Sequence, residues 1–155
     1  MAYYDHAGGT MLIEDMPVYK TTVNKKQRFR IDDLALFRYF EMAALRGVDK
    51  VVIEQIWERP GQRGMFIMGV CVGLVRMACM ANKLPVDEVP ANTWKRILKV
   101  PGGEKADDEM IMNRAVQMMP AHSHLWYGPK GGRMLDRAEA AMIAYYGETF
   151  TVRID

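Results

Sequence analysis

Cysteine is scarce in this chain, and no cysteine pattern typical of a zinc site or a disulfide framework is present. Only Cys71 and Cys79 occur among 155 residues, and both lie in one apolar segment, where we expect core positions. Neither a CxxC pair nor a cysteine–histidine cluster is found. These features favour a reduced, cytoplasmic protein.

Long uncharged hydrophobic runs are also absent. The longest apolar segment, residues 64–81, is interrupted by Arg76, so its uncharged part is shorter than the ~20 residues needed to span a bilayer. The N-terminus has neither the basic region nor the apolar region of a secretory signal. We interpret residues 64–81 as a buried helix. Its stripe of Gly69 and Gly73 would pack on a sheet or admit a second helix, for example from another subunit.

An excess of one charge sign is lacking as well. Twenty-one basic residues face 19 acidic ones, and a net charge of +2 does not by itself indicate a nucleic-acid partner. The location of the cations therefore matters. Residues 17–30 read as a polar, extended loop, either solvated or in contact with phosphates. Its cations are Lys20, Lys25, Lys26, Arg28 and Arg30.

A second basic stretch, residues 120–133, mixes aromatic side chains with Lys130 and Arg133. This composition suits stacking on bases and contact with phosphates, but it also occurs in loops without such a function. The sequence alone leaves both interpretations open.

The order of apolar patterns and turn signals predicts an α/β chain forming a single domain over residues 1–155. An opening hairpin is followed by alternating helices and strands and then by helices only. The predicted strands are residues 2–4, 10–14, 50–57 and 84–89. The predicted helices are one opened by residues 31–33 and stopped by Gly47, residues 64–81, a helix capped by Asn92 or Thr93, and residues 105–119 and 134–146.

Three carboxylates stand out as chemical candidates. Glu54 lies on the apolar, β-branched strand 50–57, where a carboxylate is costly unless it is solvated, paired or bound to a metal. Asp136 and Glu139 are three residues apart and share one face of the last helix. Taken alone, an acid on a strand or a pair of acids on a helix is more often simply exposed to solvent. Together the three could converge at one edge of a sheet, and clustered carboxylate oxygens favour Mg²⁺ or Mn²⁺.

Several motifs, in their order and spacing, resemble the phage branch of RuvC-type Holliday junction resolvases. They cover most of the chain, from about Ala2 to Gly147. The matching runs are Val52-Ile53-Glu54-Gln55, Arg59-Pro60-Gly61-Gln62, the helix with Phe66, Gly69 and Gly73, Leu84-Pro85-Val86, Pro90-Ala91-Asn92-Thr93-Trp94-Lys95, Lys105, and Asp136-Arg137-Ala138-Glu139-Ala140-Ala141-Met142-Ile143-Ala144.

The resemblance implies a ribonuclease-H-like mixed sheet flanked by helices, and a homodimer that binds four-way DNA junctions. It implies metal-dependent endonuclease activity with Mg²⁺, or Mn²⁺, in recombination, repair or phage DNA processing. Glu54, Asp136 and Glu139 would be the catalytic metal ligands, with Glu139 replacing the family's usual aspartate. Lys95 and Lys105 would contact phosphates near the scissile bond. Junction arms would be positioned by Lys25, Lys26, Arg28, Arg59, Gln62, Lys130 and Arg133.

The family's first strand, with its own aspartate in a Gly-Ile-Asp-Pro-Gly-like run, has no counterpart here. The chain begins at the strand that matches Ala2-Tyr3-Tyr4, and neither Asp5 nor Asp15 stands where the family needs an acid. We therefore expect either a longer protein upstream, which we favour, or a shortened paralogue that binds junctions without cutting them. A different ribonuclease-H-like nuclease, acting on branched DNA or RNA–DNA hybrids, and a structural α/β protein with solvated acids are the other hypotheses.

Overall fold

The computed structural model describes residues 1–5, 8–23, 25–57 and 64–150. Four strands open the chain, helices and strands then alternate as far as α3, and helices follow, so the α/β class is confirmed. The strands are β1 (Ala2–Asp5), β2 (Thr10–Ile13), β3 (Val18–Val23), β4 (Lys26–Ile31), β5 (Val51–Glu54) and β6 (Val86–Val89). The helices are α1 (Asp33–Leu45), α2 (Met65–Ala81), α3 (Ala91–Ile97), α4 (Asp108–Met118) and α5 (Leu135–Phe150), with 3-10 turns at Gly103–Lys105 and Pro120–Trp126.

The described strands pair as three two-stranded sheets. β1 and β2 form the expected antiparallel hairpin. β3 and β4 form a second one, which corrects the interpretation of residues 17–30 as a loop. β5 and β6 pair in parallel, because the N–H groups of Val51 and Gln55 donate to Pro85 and Val89, so both strands advance in the same direction.

The chain divides into two compact units, and the β5–β6 pair has residues in both. The first, which we name the α5 unit, contains Met1–Asp15, Val52–Gln55 and the residues from Glu88 onward. Its core includes the fully buried side chains of Trp94, Trp126 and Met142. Along α5 the buried positions recur at helical spacing, which turns one stripe of the helix inward. They are Ala138, Ala141, Met142, Tyr146 and Gly147.

The second, which we name the α2 unit, contains Met16–Val51 and Ile56–Asp87. Helix α1 begins at an N-cap aspartate, Asp32, whose side chain accepts from the Ala35 N–H at 2.9 Å, as expected for this residue type. Helices α1 and α2 pack on each other. The prediction that α2 is buried is wrong: among its residues, only Val75, Ala78 and Cys79 are buried. Cys71 is half-buried rather than a core residue.

Three helix boundaries differ from the sequence prediction. Pro90 is the N-cap of α3, so Asn92 and Thr93 lie inside its first turn and do not cap it. Lys105 does not open the helix that follows: it ends the 3-10 turn Gly103–Lys105, and α4 begins only after the Asp107 cap. Part of the supposed loop 120–133 is the 3-10 turn Pro120–Trp126. Among the described residues, no helix combines the length and apolar character required to cross a membrane. The single-domain organisation over residues 1–155 stays a prediction.

Candidate functional site

Glu54 is the last residue of β5, and the packing of that strand against α5 fixes its place. Val52, two residues earlier, lies against Gly147 so closely that a Cβ on this glycine would be 2.5 Å from Val52 Cγ2. Only glycine permits this approach of helix to strand. Glu54 itself is half-buried. The carboxylate thus extends from a strand that is held tightly to the helix carrying the other two candidate acids.

The Glu54 carboxylate has a specific partner on α3. The indole Nε1–H of Trp94 donates to Glu54 Oε2 at 2.9 Å. Trp94 is fully buried, and so is Leu98, which lies four residues, or about one helical turn, later. A buried indole needs an acceptor for its N–H, and here the acceptor is a candidate active-site acid. The bond satisfies the indole and restricts the carboxylate.

The next residue of α3 reaches the acid on α5. Lys95 Nζ lies 3.9 Å from Glu139 Oε1, and their side chains are only 13% and 29% exposed. The same ammonium stands 5.3 Å from the centroid of the Trp94 ring, within cation–π range. Since water is largely excluded, this ion pair is screened less than a surface pair. Adjacent residues of one short helix therefore connect the acid of β5 to the acid of α5.

The pKa of the Glu139 carboxyl is raised above its usual value, chiefly because burial disfavours the charged form. The ammonium of Lys95 acts in the opposite direction. The negative charges of Glu54 and Asp136, and also of Asp108, add to the increase. Glu139 is therefore near enough to both Glu54 and Asp136 to be repelled by each of them, although Asp136 itself is exposed on the first turn of α5.

The donor chemistry of these acids fits a hard divalent cation, since all are carboxylate oxygens and their mutual repulsion would be relieved by positive charge. Their present arrangement is not a complete metal cage. Within the described part of the chain, no three histidine, cysteine, aspartate or glutamate side chains are grouped closely enough to hold a metal ion. The partners that the structure does supply for these acids are a neutral donor, the Trp94 N–H, and a cation, the Lys95 ammonium.

Beside Asp136, a second charged contact fixes the start of α5. The guanidinium of Arg137 binds Asp15 in a bidentate manner, with Nε to Oδ1 at 2.7 Å and Nη2 to Oδ2 at 2.5 Å. This hydrogen-bonded arginine lowers the pKa of the Asp15 carboxyl. Arg137 also donates to the Leu125 carbonyl at 3.4 Å. Asp15 is thus a structural partner of α5.

The other residues proposed from the sequence have different surroundings. Exposed cations on the β3–β4 hairpin are Lys25, at its turn, and Lys26 and Arg28, on β4. Lys105 is exposed at the end of a 3-10 turn, and Lys130 and Arg133 are exposed in the segment before α5. Arg59 and Gln62 lie outside the described residues. Of the proposed cations with a described position, Lys95 is paired with a proposed acid.

Trp94 is the residue at this site for which the sequence analysis assigned no role. Its position in the Pro90–Lys95 run, directly before a proposed phosphate-binding lysine, was the available signal. The large apolar ring of Trp94 favours a core position, but the partner of its N–H is 40 residues away in the sequence. The partner becomes visible only when β5 and α3 are placed in three dimensions.

Comparison with known proteins supports the fold. No protein-family model matches the chain, and no curated protein matches it in sequence. Among solved structures, the RuvC of Thermus thermophilus is similar with a TM-score of 0.51 and 15% identity, over 84% of this chain and 86% of that one. The chain has a RuvC-like fold. The expected ribonuclease-H-like architecture is thereby confirmed, and the RuvC resemblance seen in the motifs agrees with it at the level of fold.

Proposed function

We propose that this protein is a structure-specific DNA endonuclease that nicks four-way junctions by metal-dependent hydrolysis of a phosphodiester. The observation that carries the proposal is the connection of Glu54 to Glu139 through Trp94 and Lys95, on a RuvC-like fold. A carboxylate that is exposed to water is solvated by it and does not require a hydrogen bond from a buried side chain. Here two acids from different elements are held in one partly buried region, which is the organisation that phosphoryl chemistry uses.

In the proposed reaction, water adds to phosphorus and one P–O ester bond breaks, leaving a phosphate end and a hydroxyl end. Glu54, Asp136 and Glu139 would hold Mg²⁺ or Mn²⁺, which when bound activates water and stabilises the charge of the leaving oxygen. The Trp94 N–H keeps Glu54 oriented. The ammonium of Lys95, beside Glu139, is available to neutralise charge on the scissile phosphate.

Binding of the junction would depend on phosphate contacts from cations, which are exposed in the described residues except for the partly buried Lys95. Such contacts position DNA and contribute little sequence specificity, so junction selectivity would come from the shape of the DNA and the geometry of a dimer. The proposed contacts in the described residues are Lys25, Lys26, Arg28, Lys95, Lys105, Lys130 and Arg133, to which the sequence adds Arg59 and Gln62.

We also propose a homodimer that forms through α2. Its exposed apolar side chains include Phe66 at 82%, Met80 at 67% and Met77 at 60% exposure. A Cβ added at Gly69 or Gly73 would meet no described atom within 4 Å, so the glycine stripe is open to a second helix. Large exposed apolar patches are uncommon on monomers, and a second copy of this chain would cover this one.

Further parts of the proposal rest on the sequence. They are the membership of a phage-type branch and a cytoplasmic location, in a bacterial host cell if the protein is phage-encoded. None of these parts is needed for the experiment below, which uses the chain as it stands.

A second candidate function is junction binding without cleavage. It is favoured by one observation: the described acids have partners of their own in Trp94 and Lys95, and no three-residue metal group is present among the described side chains. Another ribonuclease-H-like nuclease, with RNA–DNA hybrids or other branched DNA as substrate, is distinguished from both by substrate preference.

The test is nicking of an end-labelled synthetic four-way junction over a range of Mg²⁺ and Mn²⁺ concentrations. Linear duplex, flap and RNA–DNA hybrid substrates compete in parallel. The variants are Glu54→Gln and Glu139→Gln, with Glu109→Gln, an exposed acid on α4, as the matched control.

Metal-dependent nicking of the junction that is lost at least 100-fold in Glu54→Gln and retained in Glu109→Gln would support the proposal, since a lost charge-stabilising group typically costs about 10²–10³. Salt-sensitive binding without nicking at any metal concentration would support the second candidate. Preferred cleavage of hybrids or flaps would favour the other nuclease class, and equal nicking by Glu54→Gln and its parent would reject the site.

A further inference from the structure

The β3–β4 hairpin distributes its cations over two faces. In an antiparallel pair, residues directly opposite each other share a face. The register pairs Tyr19 with Arg30, Thr21 with Arg28, and Val23 with Lys26. Lys26, Arg28 and Arg30 therefore lie on one face together with Tyr19. We name these four residues the arginine face.

The opposite face of the hairpin has a different character. It contains Lys20, which is paired with Phe29 in the register. Lys20 Nζ lies 5.8 Å from the centroid of the Phe29 ring, so this ammonium already has an aromatic partner on its own face. The remaining polar members of this face, Thr22 and Gln27, are uncharged. The arginine face thus has three cations, and the opposite face has one.

The positive charge of the arginine face is not compensated locally. Residues 18–31 contain no aspartate or glutamate. The side chains of Lys26, Arg28 and Arg30 are all exposed, as is Tyr19 at 52%. Three like charges in a row repel one another, which is a cost that a bound polyanion would remove.

The spacing of these cations suits a nucleic-acid backbone. Alternate residues of a strand are about 7 Å apart, so the three side chains extend over roughly 13 Å in a straight row. That length corresponds to the axial rise of about four base pairs, along which each DNA strand presents a regular series of phosphates. Arginine suits such an acceptor because its fork of donors matches phosphate oxygens, and the Tyr19 hydroxyl is a further donor.

We propose that the arginine face is a docking surface for the phosphodiester backbone of a DNA duplex arm. This inference rests on the proposed function, in that it requires the protein to bind DNA. It adds Tyr19 to the contacts, assigns a DNA contact to Arg30, for which the sequence left a solvated position and a phosphate contact open, and assigns none to Lys20. It also makes the hairpin a DNA-binding element that contacts DNA through its arginine face.

The test is the salt dependence of junction binding, measured by fluorescence anisotropy in EDTA so that no cleavage occurs. The hairpin variant combines Lys26→Gln, Arg28→Gln and Arg30→Gln. A matched control removes the same charge at exposed positions outside the hairpin, with Arg46→Gln, Lys83→Gln and Lys99→Gln. Lys20→Gln tests the opposite face. Circular dichroism checks that each variant is folded.

Each neutralised phosphate contributes about 0.9 to the slope of log affinity against log salt concentration. The hairpin variant should therefore lose up to about 2.7 from that slope and bind at least tenfold more weakly near ~0.1 M salt. The charge-matched control and Lys20→Gln should change affinity by less than about threefold, because the lost charges are remote from the DNA.

The inference is overturned if the wild-type protein binds the junction and the hairpin variant shows the same slope and affinity as the charge-matched control. An equal loss in Lys20→Gln and in Arg30→Gln alone would also overturn the assignment of a face. Absence of any DNA binding by the wild-type protein at low salt is a different result, because it rejects the proposed function as well.

Discussion

The indole N–H of Trp94 donates a 2.9 Å hydrogen bond to the Glu54 carboxylate, across 40 residues of sequence. The donor is fully buried and the acceptor is half-buried. A hydrogen bond to a charged group contributes more to stability than a neutral one. Glu54 is therefore part of the core's hydrogen bonding as well as a candidate functional acid, and the two roles can be separated by mutation.

Replacement of Trp94 by phenylalanine should lower the free energy of unfolding by about 1–3 kcal/mol, because it removes the donor to a partly buried carboxylate while keeping an aromatic ring. Urea unfolding measures the change. If the protein nicks junctions, the same variant should lower the turnover number while leaving the junction dissociation constant within about twofold, since Trp94 acts through Glu54 and not on the DNA.

The chain offers a matched control for that variant. Trp126 is also fully buried, but its Nε1–H has no acceptor among the described residues. Trp126→Phe removes an unsatisfied donor and should therefore cost less stability than Trp94→Phe. In a double-mutant cycle, Trp94→Phe and Glu54→Gln should be non-additive. Additive effects, or a larger loss in Trp126→Phe, would contradict the assigned role of the hydrogen bond.

The Asp15–Arg137 contact should give the stability a pH dependence in the acid range. The folded-state pKa of Asp15 is lowered by its hydrogen bonds from Arg137, so the stabilisation is complete above the ordinary aspartate value of about 3.9. It is lost as the pH falls through the lowered folded-state pKa. Asp15→Asn should therefore lower the free energy of unfolding at about pH 6–7. The difference in this free energy between the variant and wild type should shrink below about pH 4.

Thermal unfolding of both proteins over this pH range checks the prediction. Arg137→Lys, which keeps the charge but cannot bind both carboxylate oxygens in the same way, should reproduce much of the loss. A difference between wild type and Asp15→Asn that is constant from neutral to acid pH would show that the contact has no effect on the titration of Asp15.

Gly69→Leu should convert the proposed dimer to a monomer without unfolding the chain. No described atom lies within 4 Å of a Cβ at this position, so leucine can be accommodated within one subunit, and it is a better helix former than glycine by about 1 kcal/mol. Its bulk would, however, prevent the close approach of a second α2. Analytical ultracentrifugation measures the state of association, and circular dichroism measures the melting temperature.

Asn113→Leu adds the same apolar side chain at an exposed position of α4 and should leave the dimer intact. If Gly69→Leu and Asn113→Leu behave identically in the ultracentrifuge, either as dimers or as monomers, then the glycine stripe of α2 is not the contact between subunits.

Gly147→Ala should be destabilising by about 1–3 kcal/mol, the usual cost of overpacking a core. The added Cβ would lie 2.5 Å from Val52 Cγ2, which requires the strand or the helix to move. Val52→Ala in the same protein removes the clashing methyl groups, and the double variant should recover much of the loss. Chemical denaturation of the two single variants and the double variant provides the comparison.

The sequence predicted the elements that carry the site better than the contacts within it. The apolar, β-branched run predicts the strand around Glu54, and apolar residues at helical spacing predict the last helix, since both patterns are strong and local. The β3–β4 hairpin is not predicted by the sequence, because polar and charged residues occur on both of its faces and its few apolar residues, such as Val18 and Phe29, are exposed. The hairpin is defined by the pairing of its two strands and not by buried side chains.

Helix α2 shows the opposite kind of failure. Its composition is that of a buried helix, yet Phe66, Met77 and Met80 are largely exposed. An apolar composition indicates that a helix surface is more stable when buried. It does not indicate whether the residues that bury it belong to the same chain or to a second one. The Trp94–Glu54 contact was unpredictable for a further reason, because it depends on the relative placement of a strand and a helix that are distant in sequence.

The close contact of Gly147 with Val52 also affects how this protein can tolerate change. Gly147 follows Glu139 by eight residues on the same helix, which is about 12 Å along its axis. A helix transmits a shift at one end to the other nearly undiminished. Substitutions at the Val52–Gly147 contact can therefore alter the separation of the Glu54 and Glu139 carboxylates without touching either of them, and tests of the proposed nicking activity should include variants of these two residues.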